Sequence, residues 1–339
     1  MINRFIYGKA AIVAPAIILL LLAAEYQAAG EEISNIGLGH FGGRSLSPGL
    51  GLRPGVTMVR MPVNPKGTMT VGMEGSWGNI WNYEPGAYTI DGEWIRVEPR
   101  ITYAPWERCE IGIHLPVSGR MGGFADGLIE DFHEQFRLPS ARRDEFPRDR
   151  LLIEVTDEDG HRVFRDNNSW GINDLPVFAS FLLTDGSTLA PAVAAQLTIT
   201  VPVGDEDEME GMGSPAYEIG AMLSKRLGKS RLITYLGGSA SYCTKKWLMG
   251  IPLRRELFNG LLGLEYQCGQ RFSVLAQYVI SSPVAENFYQ FSEPVHELNA
   301  GFKWRITNRL VMELSLVENL FNFRNSTDFG MNLGITRSW

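Results

Sequence analysis

The chain has 339 residues, of which 45% are hydrophobic, and a formal net charge of -7. This balance provides no basic stripe to neutralise phosphates, so no nucleic acid is expected as a partner. The three cysteines, Cys109, Cys243 and Cys268, form no close-spaced pair, and an odd number allows at most one disulfide bond. We expect them to act as small apolar residues rather than as a disulfide or a metal site.

The first 30 residues predict a secretory signal peptide. Arg4 and Lys9 precede an almost unbroken apolar run from Ala10 to Ala24, and small residues follow at 28–30. This order is typical of a cleaved leader. The apolar run is 15 residues long, short of the roughly 20 that a spanning helix needs. An uncleaved N-terminal anchor is the alternative.

Residues 31–66 form a Gly- and Pro-rich segment without alternation of apolar and polar side chains. Prolines stand at positions 48, 54, 62 and 65, and proline is excluded from the interior of a central strand. Two interpretations stay open, namely a periplasmic segment and a hatch inside the lumen of a barrel.

Residues 67–339 predict an all-β fold, a transmembrane up-and-down antiparallel β-barrel of about 12 strands. Segments of about ten residues alternate between apolar and polar or small side chains, as strands do between lipid and an enclosed lumen. In the last strand, apolar residues occupy positions 329, 331, 333 and 335, with glycine or polar residues between them. A soluble β-protein is the alternative, but its charged side chains would face outward.

Connection lengths orient this barrel. The connections of one set are short, at 105–108, 185–188, 227–230, 268–270 and 306–309. Those of the other set are mostly longer, at 82–87, 119–170, 204–215, 245–255, 282–294 and 321–327. Outer-membrane barrels have short periplasmic turns and long extracellular loops, so both ends of the barrel segment are expected on the periplasmic side.

The loop at 119–170 is too long to be structureless. Its pattern predicts a short amphipathic helix over 124–138 and a hairpin that pairs 151–156 with 161–165. We expect the helix to cap or constrict the lumen, so that deletion of 122–140 would raise permeability. The candidate lid residues are Leu128, Ile129, Phe132, His133 and Phe136.

Several motifs resemble an uncharacterised proteobacterial outer-membrane β-barrel family, domain of unknown function 3187. They are Asp91-Gly92-Glu93, Leu115-Pro116, the run from Gly122 to His133, the run from Phe136 to Pro139, Gly171-Ile172-Asn173-Asp174 and Val201-Pro202-Val203-Gly204. The C-terminal strand ending at Trp339 is similar to the signal that barrel-assembly machinery reads. The resemblance implies an outer-membrane barrel, and it carries over no activity, substrate or catalytic residue.

Charged residues at lumen-facing positions are the candidate functional residues. Their mixed signs indicate ion pairs, because an unpaired half-buried charge is costly. Such pairs either brace a narrow lumen or line a path for polar solutes. The candidates are Glu74, Arg96, Glu98, Arg100, Glu110, His114, Glu218, Glu265, Glu297, Lys303, Arg305 and Glu313.

The sequence gives only weak indications of a catalytic or metal-binding site. Glu130 and His133 share a helical face with Asp126, but no second histidine completes a metal motif. A hydrolase needs a serine beside a histidine, and the nearest pair, His114 and Ser118, is too far apart. We therefore expect no metal, no cofactor and no enzyme.

The leading functional hypothesis is a narrow passive channel for small or apolar solutes, gated by the helical loop. A structural or interaction barrel with a filled lumen is the second hypothesis, and an outer-membrane lipid hydrolase is the third. The expected partners are outer-membrane lipid, lipopolysaccharide and the barrel-assembly machinery. The acidic loop at 205–208 suits divalent-bridged lipopolysaccharide, a partner surface or plain solvent.

Overall fold

The computed structural model describes residues 35–49, 59–61, 64–136, 142–156, 160, 162–248, 250–322 and 324–339. The predicted signal peptide lies outside these ranges. The strands are β1 (Met69–Glu84), β2 (Tyr88–Trp106), β3 (Cys109–His114), β4 (Val117–Met121), β5 (Leu152–Thr156), β6 (Arg162–Arg165), β7 (Ser169–Ile172), β8 (Leu175–Thr184), β9 (Ala192–Val201), β10 (Ala216–Arg226), β11 (Leu232–Cys243), β12 (Trp247–Leu248), β13 (Ile251–Pro252), β14 (Glu256–Gln267), β15 (Phe272–Ser281), β16 (Val295–Thr307), β17 (Leu310–Asn319) and β18 (Phe329–Ser338).

The sheet closes on itself because β1 pairs with β18 on one side and with β2 on the other. β3 and β4 are two halves of one wall strand, interrupted at Pro116, which has no backbone N–H to donate. β7 and β8 form a second interrupted wall strand beside it. In the described part of the chain, the wall therefore consists of 12 antiparallel strands, which confirms the predicted barrel.

Polarity is inverted relative to a soluble β-protein. Met73 and Ile335, which face each other across β1 and β18, are 50% and 44% exposed. The charged Lys303 and Glu313 are only 2% and 8% exposed, because they point into the lumen. This alternation, with apolar residues toward lipid and charges toward the axis, is the arrangement that a bilayer requires.

The two ends of the barrel differ in their connections. β2 and β3 join through a two-residue turn at Glu107 and Arg108, and Arg108 has a φ of 65°. The C-terminal Trp339 donates its backbone N–H to the carbonyl of Met69 (2.9 Å) at this same end. The longer connections, such as 202–215 and 282–294, lie at the opposite end. We refer to the short-turn end as periplasmic and to the other as extracellular.

The extracellular loop after β4 contains helix α1 (Asp126–Phe136) and the β5–β6 hairpin. The helix begins there because Glu93 accepts the free backbone N–H groups of Phe124 (2.6 Å) and Ala125 (2.7 Å). The hairpin extends the sheet, since β5 pairs with the first residues of β2. No helix in the described ranges is long and apolar enough to cross a membrane.

Candidate functional site

One side of the lumen is charged, and Glu98 lies at its centre. Arg96 donates to the Glu98 carboxylate from its Nε (2.9 Å), and the ring of His114 contacts the other carboxylate oxygen. Arg44, which lies outside the wall strands, approaches within 3.8 Å. Glu98 is 5% exposed, so this cluster is a buried network in which each charge has a partner of opposite sign.

Three further ion pairs extend the charged side. Glu74 accepts hydrogen bonds from Arg100 (3.2 Å) and from Arg60. Lys303 lies 2.6 Å from the carboxylate of Glu313 on the neighbouring strand. The Arg100–Glu74 and Lys303–Glu313 pairs join adjacent strands. The Arg60–Glu74 pair joins the wall to a segment inside it. They brace the lumen rather than leave free charges along a path.

The remaining predicted lumen residues also occupy lumen-facing positions. Glu110 accepts a hydrogen bond from the Asn64 amide (2.9 Å) near the periplasmic rim. The structure buries Glu110, Glu218, Glu265 and Glu297 and leaves Arg305 half-buried.

The opposite side of the lumen carries an apolar cluster, beside buried polar residues of the same strands such as Glu218 and Glu265. Wall strands β8–β11, β14 and β15 carry aliphatic and aromatic side chains at inward positions, and Val59 packs against them. Burial of such a cluster contributes about 25 cal/mol per Å² of apolar surface. Its wall members are Leu182, Ala194, Met222, Ile233, Tyr235, Leu261 and Val279.

Residues 35–49 and 59–61, which we call the lumen segment, lie inside the barrel. At the periplasmic end, the side-chain amide of Asn35 donates to the carbonyl of Ser187 (2.9 Å) in the turn between β8 and β9. At the extracellular end, the Ser47 hydroxyl donates to a carbonyl of the loop before β18. The lumen segment therefore reaches from one rim to the other.

Wall side chains satisfy the backbone of the lumen segment. The N–H of Leu38 donates to Glu265 (3.0 Å), and the N–H of Gly42 donates to Glu313 (2.9 Å). Because a buried N–H needs an acceptor, these carboxylates take the place of a neighbouring strand. Predicted lumen residues are thus acceptors for the lumen segment.

The same pattern continues toward the extracellular end. Phe41 donates its N–H to Gln277 (3.0 Å), and the Ser45 hydroxyl donates to Glu297 (2.8 Å). Hydrogen bonds of this kind to a charged group contribute about 1.5–3 kcal/mol each. The lumen segment is held by a ladder of bonds from two sides of the wall.

His40 ties the two described parts of the lumen segment together. Its ring nitrogens lie 2.7 Å from the carbonyl oxygen of Phe41 and 2.8 Å from that of Val59. Lys303 donates to the carbonyl of His40 (2.6 Å). His40 is 5% exposed, so the joint between the two parts is buried among wall side chains.

Glycine makes this close fit possible. A Cβ added at Gly37 would overlap the carboxylate of Glu265, and one at Gly43 would lie 2.5 Å from Cγ of Asn332. Real Cβ atoms do not approach so closely. The Gly-rich composition of this segment therefore reflects a backbone that runs directly against lumen side chains.

A second apolar cluster packs at the extracellular mouth. Loop residues from the β5–β6 hairpin, the 202–215 connection and the 282–294 connection pack over inward residues of β1, β2 and β14. Below it, two cavities of about 20 Å³ each flank Arg44, and each has room for about one water molecule. The cluster includes Ile80, Tyr88, Trp94, Leu151, Ile153, Met209, Leu257, Phe288 and Phe291.

Helix α1 lies on the outer face of the barrel, not over the lumen. Glu93 in β2 caps the helix, and Trp77 in β1 stacks on Phe124 with ring centroids 6.1 Å apart. Both residues occupy positions whose side chains point out of the barrel. The β1–β2 register has no shift, so these side chains point to the same face as the exposed Met73 and Ile101. The position differs from the lumen lid that the amphipathic pattern predicts.

The candidate lid residues accordingly have other surroundings. Ile129 is buried, whereas Leu128 is 70% exposed and packs on no lumen wall. The side chains of Phe132, His133 and Phe136 lie outside the described part. The correction has a physical reason: the helix follows its cap at Glu93, and that carboxylate points outward.

A buried arginine fixes the extracellular loop to this outer face. Arg143, 4% exposed, lies 3.0 Å from Asp126 and 3.3 Å from Asp328. It also donates to the side-chain oxygen of Asn79 and lies over the ring of Trp81. This network joins the loop after β4 to the first hairpin and to the loop before β18.

The sequence matches a family described as protein of unknown function (DUF3187) over residues 16–339. The chain belongs to this family. No curated protein matches the sequence.

Solved structures of other proteins resemble the fold of this DUF3187 chain. The COG4313 outer membrane channel from Pseudomonas putida F1 aligns with a TM-score of 0.55 at 12% identity, covering 85% of this chain and 100% of that chain. The NanC porin has a TM-score of 0.43 (10% identity, 79% and 98% coverage). The Ralstonia pickettii toluene transporter TbuX has 0.41 (9%, 82% and 90%). The first likeness shows a shared outer-membrane barrel fold, and the two lower scores add nothing to it.

The residues considered for hydrolysis are occupied by the lumen networks. His114 contacts Glu98, and the Ser118 hydroxyl donates to Glu210 (2.8 Å). His296, on the outer face, pairs instead with the hydroxyl of Tyr278 (2.6 Å). None of these contacts assembles a serine with a histidine.

Two parts of the site were missed from the sequence of this DUF3187 chain. The apolar side of the lumen could have been recognised where two apolar residues adjoin, as at Leu182-Leu183 and Leu261-Leu262, because one of each pair must face inward. The path of the lumen segment through the barrel had one signal in the sequence, the closely spaced glycines of the segment.

Proposed function

We propose that this protein is a narrow outer-membrane channel for small solutes, closed in the described state by its own lumen segment. The observation that carries the proposal is the ladder of hydrogen bonds from Asn35 to Ser47, which is made to wall side chains and loop carbonyls. Such contacts hold the segment firmly and can still be exchanged for water.

The wall does not depend on the lumen segment for closure. The strand ladder is continuous around the barrel, from β18 back to β1, without any contribution from residues 35–49 or 59–61. Asn35 and Asn64 both lie near periplasmic turns, through contacts to Ser187 and Glu110. Withdrawal toward the periplasm therefore requires no threading of a chain end through the barrel.

The two sides of the lumen favour small solutes with an apolar part. Without the lumen segment, Leu182, Ile233 and Leu261 would line one side of the path. Arg96, Glu98 and other paired charges would line the opposite side. A solute with apolar and polar parts would find both kinds of surface.

Deletion of residues 35–61 tests the proposal. The variant keeps the residues before position 35 and is compared with the full chain in planar lipid bilayers and in a liposome swelling assay. We expect no conductance from the full chain and stable conductance steps from the variant. Circular dichroism and heat-modifiable migration on gels establish that both barrels are folded.

A folded deletion variant that stays non-conducting would refute the channel. The filled lumen would then belong to a barrel with a structural or interaction role. This second function has its own support, since an apolar cluster also packs at the extracellular mouth.

A further inference from the structure

Two large apolar side chains at the start of helix α1 are exposed. Phe124 is 77% exposed and Leu128 is 70% exposed, far more than the buried Ile129 on the same helix. Phe124 stacks on Trp77 with an interplanar angle of 18°. Phe124 is thus attached to the outer wall, and Leu128 follows it four residues later on the helix.

This apolar surface continues the lipid-facing wall. Trp77 pairs in register with Met331, which is 40% exposed. Eight residues separate Met69 from Trp77, which at about 3.4 Å per residue and a tilt of about 40° places Trp77 roughly 20 Å above the periplasmic interface. The apolar band of such barrels is about 25 Å tall. Trp77 and Phe124 therefore lie at its outer edge.

The polar groups around the helix start are satisfied within the protein. Glu93 is 0% exposed and accepts the indole N–H of Trp77 (2.8 Å) as well as the N–H groups that begin the helix. Glu130 accepts a hydrogen bond from Nε of Arg148 (2.8 Å). The stacked rings of Trp77 and Phe124 cover the Glu93 carboxylate, and Phe124 and Leu128 are the large apolar side chains exposed beside it.

We propose that Phe124 and Leu128 insert among the acyl chains of the outer leaflet, which makes helix α1 an interfacial anchor on the barrel wall. The occupant is lipid because the surface is continuous with the lipid-facing wall at the edge of the apolar band. An amphipathic helix that lies in a membrane interface buries its apolar face in this way. The proposal is independent of any transport through the lumen.

Spin labelling of the helix in lipid vesicles tests this anchor. A nitroxide is attached at Leu128→Cys, in a chain whose Cys109, Cys243 and Cys268 are replaced by alanine. Glu134→Cys, on an exposed polar position of the same helix, is the matched control. We expect the label at position 128 to collide several-fold more often with oxygen than with a water-soluble nickel complex. The ratio should be reversed at position 134.

Two results would overturn the anchor. Equal exposure of both positions to the nickel complex would place Leu128 in water. Protection of position 128 from both reagents, with spin–spin broadening, would indicate a second copy of the chain on this surface. Phe124→Cys supplies a second labelled site, so that poor assembly of one variant leaves the measurement possible.

Discussion

Two segments lie outside the strand pattern, and they take opposite positions. The lumen segment lies inside the barrel, whereas helix α1 and the loop around Arg143 lie against its outer face. Side-chain volume acts together with the outward-facing cap at Glu93. A backbone with glycine at positions 37 and 43 fits between lumen side chains, but a helix is about 10–12 Å wide with its side chains. Amphipathicity identifies a surface helix without identifying the surface.

Deleting each segment in turn should separate their roles most strongly. Removal of 35–61 should convert a closed barrel into a conducting one, because the ladder from Leu38 to Ser45 is lost. Removal of 122–140 should leave the barrel closed, since that segment covers the outer wall. Single-channel recording of both variants measures this. Conductance only in the second variant would restore the helix as the lid.

Loss of Arg143 should destabilise the outer loop and leave the lumen closed. Arg143→Ala strands the carboxylates of Asp126 and Asp328, which it contacts while buried. Breaking such a buried network costs about 3–5 kcal/mol. Limited proteolysis should cut the loop after β4 faster, with unchanged conductance. Arg142→Ala, which removes an exposed partner of Glu145, is the control. Equal protease resistance of the two variants would contradict the network's role.

A bulky side chain at Gly37 should loosen the lumen segment. Gly37→Leu forces overlap with Glu265, and overpacking of this kind costs about 1–3 kcal/mol. We expect intermittent conductance and a lower unfolding midpoint in urea. Gly269→Leu, in a periplasmic turn where a Cβ meets nothing within 4 Å, should change neither. A fully closed Gly37→Leu barrel would show that the segment is not held at this position.

The wall was predictable from the sequence because the membrane sets it. Lipid on one side imposes a period of two, which places Met73 outward and the charged Glu98 inward without knowledge of any neighbour. The same reasoning gave the set of candidate lumen charges.

Contacts distant in sequence were not predictable in this way. The bond from Phe41 to Gln277 joins residues 236 positions apart, and nothing in the local pattern of either segment selects the other. The outward position of α1 depends on Glu93, which breaks the apolar outer face of β2 and looks unfavourable until the helix covers it. The roles of such residues become clear only from their contacts in the folded protein.

A matched pair of serines tests whether the lumen segment is more mobile than the wall. Ser45 donates to Glu297 (2.8 Å) from the lumen segment, and Ser180 donates to Gln196 (2.8 Å) between two wall strands. Each alanine variant loses one hydroxyl donor to a buried acceptor, a loss of about 1–3 kcal/mol. Both should lower the unfolding midpoint by a similar amount. Only Ser45→Ala should raise the frequency of brief openings in bilayer recordings, because its lost bond held the movable part. Equal opening frequencies in the two variants would mean that the segment is as fixed as the wall, and the proposed gate would have no moving element.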